Sequence, residues 1–370
     1  MLSGKKFKKI AAALTAGAFS LSVLAASPAV AEAGILGNII GAAGAAVSGT
    51  AMKKQAKQQI EYYNTTEEGR QELFAAFKEK YGVNENVYLN NRVNVLMKNL
   101  TKAVGTVDST IYDKPYLYFV NNQETINAFC ANGHVMSINA GLLNQFPNDD
   151  EVAVVVGHEM GHGQKDHPAK GVIEQIDKAM WTQIAVSASG AGTAGSVVGN
   201  LLLKQSNAHG TKKEEKEADN LAFLYVTHSN YNPGACAAVW QRFLDTQGDN
   251  SQNAIGSIFA PSDHPNNAAR RDTYVKLLEE YSKGKVTAKD GAVFVNGKEL
   301  VRTAASDGMS GAERSYFIFG NLAAAYHNNH NTGKATVQNN TVMLGAQPII
   351  KPVNGEGTAA EIAARLNEIK

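Results

Sequence analysis

This chain has little net charge and few cysteines, and both shortages narrow what it can do. Its 35 basic and 34 acidic residues leave a net charge of +1, and only 19% of the sequence is charged. Nucleic-acid-binding domains carry a marked basic excess, so no nucleic acid partner is expected. The two cysteines, Cys130 and Cys236, either pair in an oxidising compartment or are two small buried hydrophobic residues, and the sequence leaves both alternatives open.

The part of the chain after Lys285 is too short for an array of helical repeats. Its 370 residues are too many for one compact domain of ordinary size. The sequence changes in character after Lys285, but residues 286–370 are too few for several repeats of about 34 residues. They predict a small C-terminal α+β module of unknown role, with a hairpin turn at Asn296-Gly297, a helix from about Ser310 to Tyr326, a strand around Thr341 to Leu344 and a helix over 358–369.

A cysteine is missing where an exported lipoprotein would carry one. Four lysines precede an apolar run and Ala29-Val30-Ala31 is a small-x-small site, so residues 1–31 are predicted to be a secretory signal peptide. Ser27 stands where the acylated cysteine would be, which excludes lipid attachment there. The protein is therefore expected to be exported to the periplasm or cell envelope, with an uncleaved N-terminal anchor as the alternative.

Two segments rich in glycine and alanine leave membrane association open. The first is residues 32–58, whose stretch 34–52 has Gly37 and Gly41 in a spacing that permits close helix packing. Because its apolar residues are mostly Ala and Gly, a packed or membrane-surface hairpin is favoured over a span. The second, residues 184–203, is similar in composition and contains four glycines. The oligomeric state is not readable from the sequence.

The most informative motif is HExxH, formed by His158, Glu159 and His162. Two histidines four residues apart lie about 40° apart around a helix, so both imidazoles reach one metal ion while Glu159 points to the open coordination position. Bound Zn²⁺ lowers the pKa of a water molecule toward about 7, and the carboxylate takes the proton. The motif predicts one Zn²⁺ per chain with Glu159 as general base, and a chance match on a surface helix is the alternative.

The residues around the motif argue against a surface helix. Residues 151–157 are apolar nearly all round, which predicts a buried helix, and a buried pair of histidines with a carboxylate is costly without a partner. Asn148, Asp149 and Asp150 supply a cap and negative charge at the helix start. The helix is therefore predicted to run from about 149 to 164.

A catalytic zinc ion takes a third protein ligand, and spacing eliminates two classes of zinc peptidase. Metzincins have a histidine at the position that Pro168 occupies here, and His167 is one place out of register. The next carboxylates follow His162 too closely for a separate helix to have turned back toward the metal: Asp166, Glu174 and Asp177. The thermolysin-like position is therefore empty as well.

The next acidic cluster, residues 214–219, opens a second amphipathic helix. Glu214 and Glu215 both border its buried face, and spacing alone does not choose between them. Glu217 lies roughly a quarter-turn off that face, and a solvated helix start is the simpler interpretation for Glu214 and Glu217. Asp219, four residues after Glu215, is well placed to orient a ligating histidine through its second ring nitrogen.

Residues 215–219, Glu-Lys-Glu-Ala-Asp, resemble the E-x-x-A-D motif of the gluzincin peptidases typified by HtpX, the CAAX prenyl protease and the mitochondrial Oma-type proteases, peptidase family M48. The resemblance spans about residues 60 to 280, because residues 127–143, residues 231–235 and His264-Pro265 with Arg270 also look like family motifs. It implies that Glu215 is the third ligand. It also implies a mainly helical α+β zincin domain with a small active-site β-sheet, over residues 59–285.

The resemblance implies further roles. It implies that residues 184–203 associate with the membrane, with a flexible loop over the active-site cleft as the alternative. The strand with Asn127, Ala128, Phe129 and Cys130 would bind substrate, and Arg270 would support the site together with Asp219. His264 would sit beside the zinc and act in catalysis, as a latch or an oxyanion donor, with a solvated loop histidine as the alternative. One departure is that residues 131–134, Ala-Asn-Gly-His, replace the Leu-Pro-Gly-Gly common in the family.

The sequence as a whole predicts an exported zinc metalloendopeptidase that acts on polypeptides. Misfolded or unassembled envelope proteins are the substrates that the family resemblance suggests. The alternative is a zinc-binding chaperone or adaptor of the same fold with little or no turnover. An intact Glu159 argues against that alternative, because a binding protein gains nothing from a buried general base.

Overall fold

The computed structural model describes residues 49–174, 177, 211–248 and 266–370. It opens with α1 (Gly49–Thr65), α2 (Glu67–Tyr81) and α3 (Val87–Val107). Thr66 and Asn86 cap α2 and α3 with side-chain oxygens that accept backbone N–H groups of the first turns. The predicted signal peptide, residues 34–48 and residues 184–203 lie outside the described residues, so the predictions for them stay predictions.

A small three-stranded sheet follows, made of β1 (Leu117–Asn121), β2 (Ala128–Ala131) and β3 (Val135–Asn139). Its order is β1-β3-β2, with β1 parallel and β2 antiparallel to β3, so β2 is an edge strand. Alternate residues face opposite sides. Phe119 and Phe129 pack on α1 and α2, whereas Val120 and Cys130 join the main core.

The helices that come next in the described chain include α4 (Ala140–Gln145), α5 (Asp149–Gln164), α6 (Lys212–Thr227), α7 (Ala235–Gln247) and α8 (Asn267–Tyr281), and residues 167–174 after α5 are also helical. Helix α5 is capped by Asn148 and buried from Glu151 to Gly163, which confirms the predicted buried helix. Helix α6 begins before the acidic cluster, because Thr211 and Glu214 form a capping box.

The C-terminal residues form two antiparallel sheets and two helices. The sheets are β4-β5-β6 (Val286–Lys289, Ala292–Val295, Lys298–Arg302) and β7-β8-β9 (Ala335–Gln338, Thr341–Leu344, Gln347–Ile350), and the helices are α9 (Gly311–His327) and α10 (Ala359–Ile369). The predicted hairpin is confirmed, with Asn296 and Gly297 both at positive φ. Strands β4, β7 and β9 were not predicted, although Asn339-Asn340 is a similar turn signal between β7 and β8.

One hydrophobic core runs from α3 and α5 through α7 and α8 into the C-terminal sheets and α10. The fold is α+β and mainly helical, as predicted. Whether residues 286–370 form a separate unit stays a prediction. Cys130 and Cys236 are both buried and both free, so they act here as small core residues rather than as a disulfide. Within the described ranges, every helix is too short or too polar to cross a membrane.

Candidate metal centre

Helices α5 and α6 approach closely because their contact is lined by small residues. A Cβ added at Gly161 would lie 3.2 Å from the Cα of Ala218, and one at Gly157 would lie 3.8 Å from the Cα of Ala222. Gly157 and Gly161 are four residues apart on α5, and Ala218 and Ala222 are four residues apart on α6. Each helix therefore presents a face of small residues to the other. This close contact brings Glu215 on α6 to the two histidines of α5.

Three donor atoms converge between these helices, with His158, His162 and Glu215 all buried. The two Nε2 atoms are 3.0 Å apart, and Glu215 lies 3.4 Å from His158 Nε2 and 3.3 Å from His162 Nε2. Tetrahedral zinc with bonds of about 2.0–2.1 Å requires donor separations of about 3.3 Å. The donor types and their spacing therefore fit Zn²⁺, with a fourth position left for water or substrate.

The electrostatics of this group favour a positive charge. Burial alone would lower the pKa of His158, but its hydrogen bonds to Asp219 and Glu215 outweigh burial and raise the pKa to about 9. Burial would raise the pKa of Glu215, yet its contacts with His158 and His162 hold that pKa well below the usual value. A metal ion competes with protons for such a site, so the carboxylates that raise the pKa of His158 would also favour a bound cation.

Glu159 lies beside the edge strand of the sheet. Its Oε2 accepts a hydrogen bond from the backbone N–H of Cys130 at 3.0 Å, which fixes the carboxylate against β2. Burial raises the pKa of Glu159, and the neighbouring His158 and His162 only partly oppose that rise. A carboxylate with a raised pKa accepts a proton from water more readily, which suits a general base.

A buried ion pair between Asp219 on α6 and Arg270 on α8 holds His158 at its Nδ1 side. Its Nδ1 lies 3.0 Å from Asp219 Oδ1, and the guanidinium of Arg270 donates to both oxygens of that carboxylate, with Nε 2.9 Å from Oδ2. The hydroxyl of Tyr274 donates to Asp219 Oδ1 at 3.0 Å. The carboxylate keeps the His158 proton on Nδ1, so the lone pair of Nε2 faces the metal position.

His162 has a different neighbour. Its Nδ1 lies 3.0 Å from Nδ1 of His167, whose Nε2 is 3.4 Å from Glu217 Oε2. His167 therefore stands behind the ligand and not at the metal, in agreement with its exclusion as a ligand. No role for His167 was predicted, and Glu217 was interpreted as part of a solvated helix start. The available signal was the predicted end of the helix at about residue 164, shortly before His167.

The predicted substrate strand is β2. Its far edge has no strand neighbour among the described residues. Because Cys130 donates its N–H to Glu159 and backbone groups alternate in direction along a strand, Ala128 also turns its N–H and C=O toward this edge. Asn127 precedes the strand, and its carbonyl accepts a hydrogen bond from Asn139 N–H at 2.9 Å. The side chain of Phe129 points the other way, onto Phe77 and Tyr81.

Residues 131–134, which depart from the family pattern, form a tight turn. Gly133 has a φ of 70°, and its carbonyl accepts a hydrogen bond from Arg70 Nε at 2.6 Å. The ring of His134 stacks on Tyr116, and its Nε2 is 3.1 Å from the carbonyl oxygen of Gly163, near the end of α5. The turn thus ties the edge strand to the HExxH helix. His264 lies outside the described residues, so its role stays a prediction.

Comparisons with known proteins cover this part of the chain. Residues 89–275 match the family model described as Peptidase family M48. The chain is 28% identical over 177 residues to the metalloprotease LoiP of Escherichia coli, an alignment that covers 47% of this chain and 67% of that protein. It is 30% identical over 151 residues to the mitochondrial metalloendopeptidase OMA1 of Arabidopsis thaliana, covering 41% of this chain and 29% of that protein.

A third relative is the beta-barrel assembly-enhancing protease of Escherichia coli, which is 25% identical over 166 residues. That alignment covers 42% of this chain and 33% of the relative. The chain therefore spans about two thirds of LoiP and a third or less of the other two proteins. The part matched by the family model contains the His158, His162 and Glu215 group and also Arg270.

Proposed function

Since the chain belongs to peptidase family M48, we propose that it is a zinc-dependent metalloendopeptidase that acts in the cell envelope. Residues 89–275 are a metallopeptidase domain by family membership. The observation that carries the zinc assignment is the buried group of His158, His162 and Glu215, because two imidazoles and a carboxylate at these separations are a donor set typical of catalytic zinc.

The proposed mechanism assigns separate roles to the three metal ligands, to Glu159 and to the backbone of Cys130. His158, His162 and Glu215 would hold Zn²⁺, which when bound supplies Lewis acidity toward the scissile carbonyl and lowers the pKa of a water molecule. Glu159 takes the proton of that water at its carboxylate and returns it to the leaving amine. The N–H of Cys130 holds Glu159 Oε2 in place for both transfers, since it is 3.0 Å away.

The substrate in this proposal is an extended polypeptide that adds to the free edge of β2. The support is the direction of the Ala128 backbone groups, which are turned to the side where Glu159 lies. Main-chain pairing of this kind is largely independent of sequence, so it suits an enzyme that cleaves many unfolded chains. Misfolded or unassembled envelope proteins are the proposed class, by analogy with the relative named for enhancing β-barrel assembly.

Export rests on the N-terminal sequence alone. We expect the mature chain to begin near Glu32, because Ala29-Val30-Ala31 is the small-x-small site after the apolar run. N-terminal sequencing of the protein recovered from an envelope fraction tests this, and a chain that still begins at Met1 would contradict cleavage. Contact of residues 34–52 with the membrane surface remains part of the same proposal.

The decisive experiment is the Glu159→Gln variant. The amide keeps the shape of the side chain but cannot take a proton from water, so casein turnover should fall about 100-fold or more while zinc content stays at that of the wild type. Glu85→Gln, an exposed position, is the matched control and should keep full turnover. Turnover above about a tenth of the wild-type rate in Glu159→Gln would exclude Glu159 as the general base.

The same variant separates the enzyme from the chaperone alternative. An enzyme loses turnover in Glu159→Gln and in a chelator, and the inactive variant retains bound polypeptides that mass spectrometry identifies. A zinc-binding chaperone shows no casein turnover in the wild type under any condition. Captured polypeptides that are mostly folded cytoplasmic proteins would contradict the proposed substrate class.

A further inference from the structure

We propose that His167 is a positioning residue for the metal ligand His162, with Glu217 supporting His167 from the rim of the site. The inference rests on the proposed zinc site and extends it to residues outside the ligand set. It starts from the hydrogen bond between the two Nδ1 atoms, which lie 3.0 Å apart. His167 is buried, with 5% of its surface exposed, and its ring stands nearly edge-on to that of His162.

The protons in this pair are fixed by the role of His162. A histidine that ligates a metal through Nε2 carries its proton on Nδ1, so His162 donates and Nδ1 of His167 accepts. The proton of His167 is then on Nε2, which faces Glu217 Oε2 at 3.4 Å. These contacts therefore keep the Nε2 lone pair of His162 directed at the metal position that His158 and Glu215 also border.

The turn after α5 places His167 for this contact. Asp166 has a φ of 51°, a left-handed conformation that Asp adopts more readily than most residues, and it reverses the chain. Its carboxylate accepts hydrogen bonds from Asn64 Nδ2 and Lys114 Nζ, both at 3.2 Å. Asn64 Oδ1 in turn accepts from Gly133 N–H at 2.9 Å. The turn that precedes His167 is thus held by the same side chain that contacts the turn after the edge strand.

Helix α6 supplies both supports as well as the ligand. Glu215 would be a metal ligand, Asp219 contacts Nδ1 of His158, and Glu217 contacts Nε2 of His167. The two supports are unequal, because the Glu217 side chain is 42% exposed and the Asp219 side chain only 10%. Solvent weakens the contribution of Glu217, so His167 should carry most of the effect on His162.

Two variants of nearly equal shape test the proposal in the purified full chain. His167→Asn keeps an acceptor oxygen close to the position of Nδ1, whereas His167→Leu has a similar volume and no acceptor. Zinc affinity, measured by competition with a chromogenic chelator, should fall about 10–100-fold in His167→Leu and stay within about threefold of the wild type in His167→Asn. The absorption spectrum of the cobalt-substituted protein should change in the Leu variant and stay close to the wild type in the Asn variant.

Three controls complete the test. Glu217→Gln should lower zinc affinity about fivefold or less, and Glu214→Gln should leave it unchanged. Thermal unfolding of the metal-free proteins should give similar midpoints for the Asn and Leu variants, since their shapes match. Equal zinc affinity in the Asn and Leu variants, whether retained or lost, overturns the role of His167. A wild-type chain that takes up no zinc overturns the proposed function, and this inference with it.

Discussion

Among the described residues, two of the buried clusters that pair carboxylates with an arginine differ in their balance of charge. At the metal centre, the carboxylate of Asp219 faces the guanidinium of Arg270 one to one. Where α5, α7 and α9 meet, Glu151 and Glu313 share the guanidinium of Arg242, at 3.0 Å and 2.6 Å. The second cluster joins the HExxH helix to the C-terminal part of the chain.

The difference in balance changes the protonation of the acids. Burial would raise the pKa of Asp219, but Arg270 and His158 outweigh it and lower the pKa to about 2. Burial and the charge of Glu151 raise the pKa of Glu313 to about 7, and Arg242 only partly offsets them. The balanced cluster keeps a fixed negative charge behind a metal ligand, whereas the other cluster holds a proton close to neutral pH.

The largest expected effect is a difference in stability between Asp219→Asn and Glu313→Gln, in each of which a neutral amide replaces a carboxylate. Asp219→Asn removes the carboxylate that faces the buried Arg270, and this should lower the free energy of unfolding of the metal-free protein by about 3 kcal/mol or more at neutral pH. Glu313→Gln leaves Glu151 to balance Arg242, so it should cost less than about 1 kcal/mol. Urea unfolding after chelator treatment measures both. Equal costs would show that charge balance does not distinguish the clusters.

A smaller effect should appear in the pH dependence of stability. The pKa of Glu313 is higher in the folded state than its ordinary value of 4.5, so its contribution to stability is fully present below that value and is lost as the pH rises through about 7. The free energy of unfolding should therefore fall between about pH 5 and pH 8, by an amount on the order of 1–3 kcal/mol. Urea unfolding at several pH values measures this decline.

Glu313→Gln is the variant that tests the cause of that decline. It removes the titrating group, so the decline should be smaller than that of the wild type by about 1–3 kcal/mol. A decline from His158 remains in the metal-free protein, because its pKa of about 9 in the folded state means that its contribution is lost as the pH rises above about 6.5. Glu299→Gln, an exposed change in the C-terminal sheets, should follow the wild-type profile. A decline that persists unchanged in Glu313→Gln would assign the pH dependence to other groups.

The sequence predicted the parts of the site that rest on local spacing. HExxH and its cap predicted the α5 helix, and Asp219 was expected behind a ligating histidine, where it lies. Glu215 required the family resemblance, because spacing alone did not separate it from Glu214. Contacts between distant segments were not predictable: Arg242 meets Glu151 and Glu313 only through the packing of three helices, and Glu151 was read as part of an apolar run.

The close contact of α5 and α6 has a consequence for ion size. Two donors belong to one helix and the third to the other, so the gap between the helices limits the radius of the ion that the donors can enclose. Calcium takes six to eight oxygen ligands, so two imidazoles and one carboxylate are a poor donor set for it. Gly157, Gly161, Ala218 and Ala222 set the gap by lacking bulk, so residues that touch no ligand atom hold the three donors at separations that suit an ion of the size of zinc.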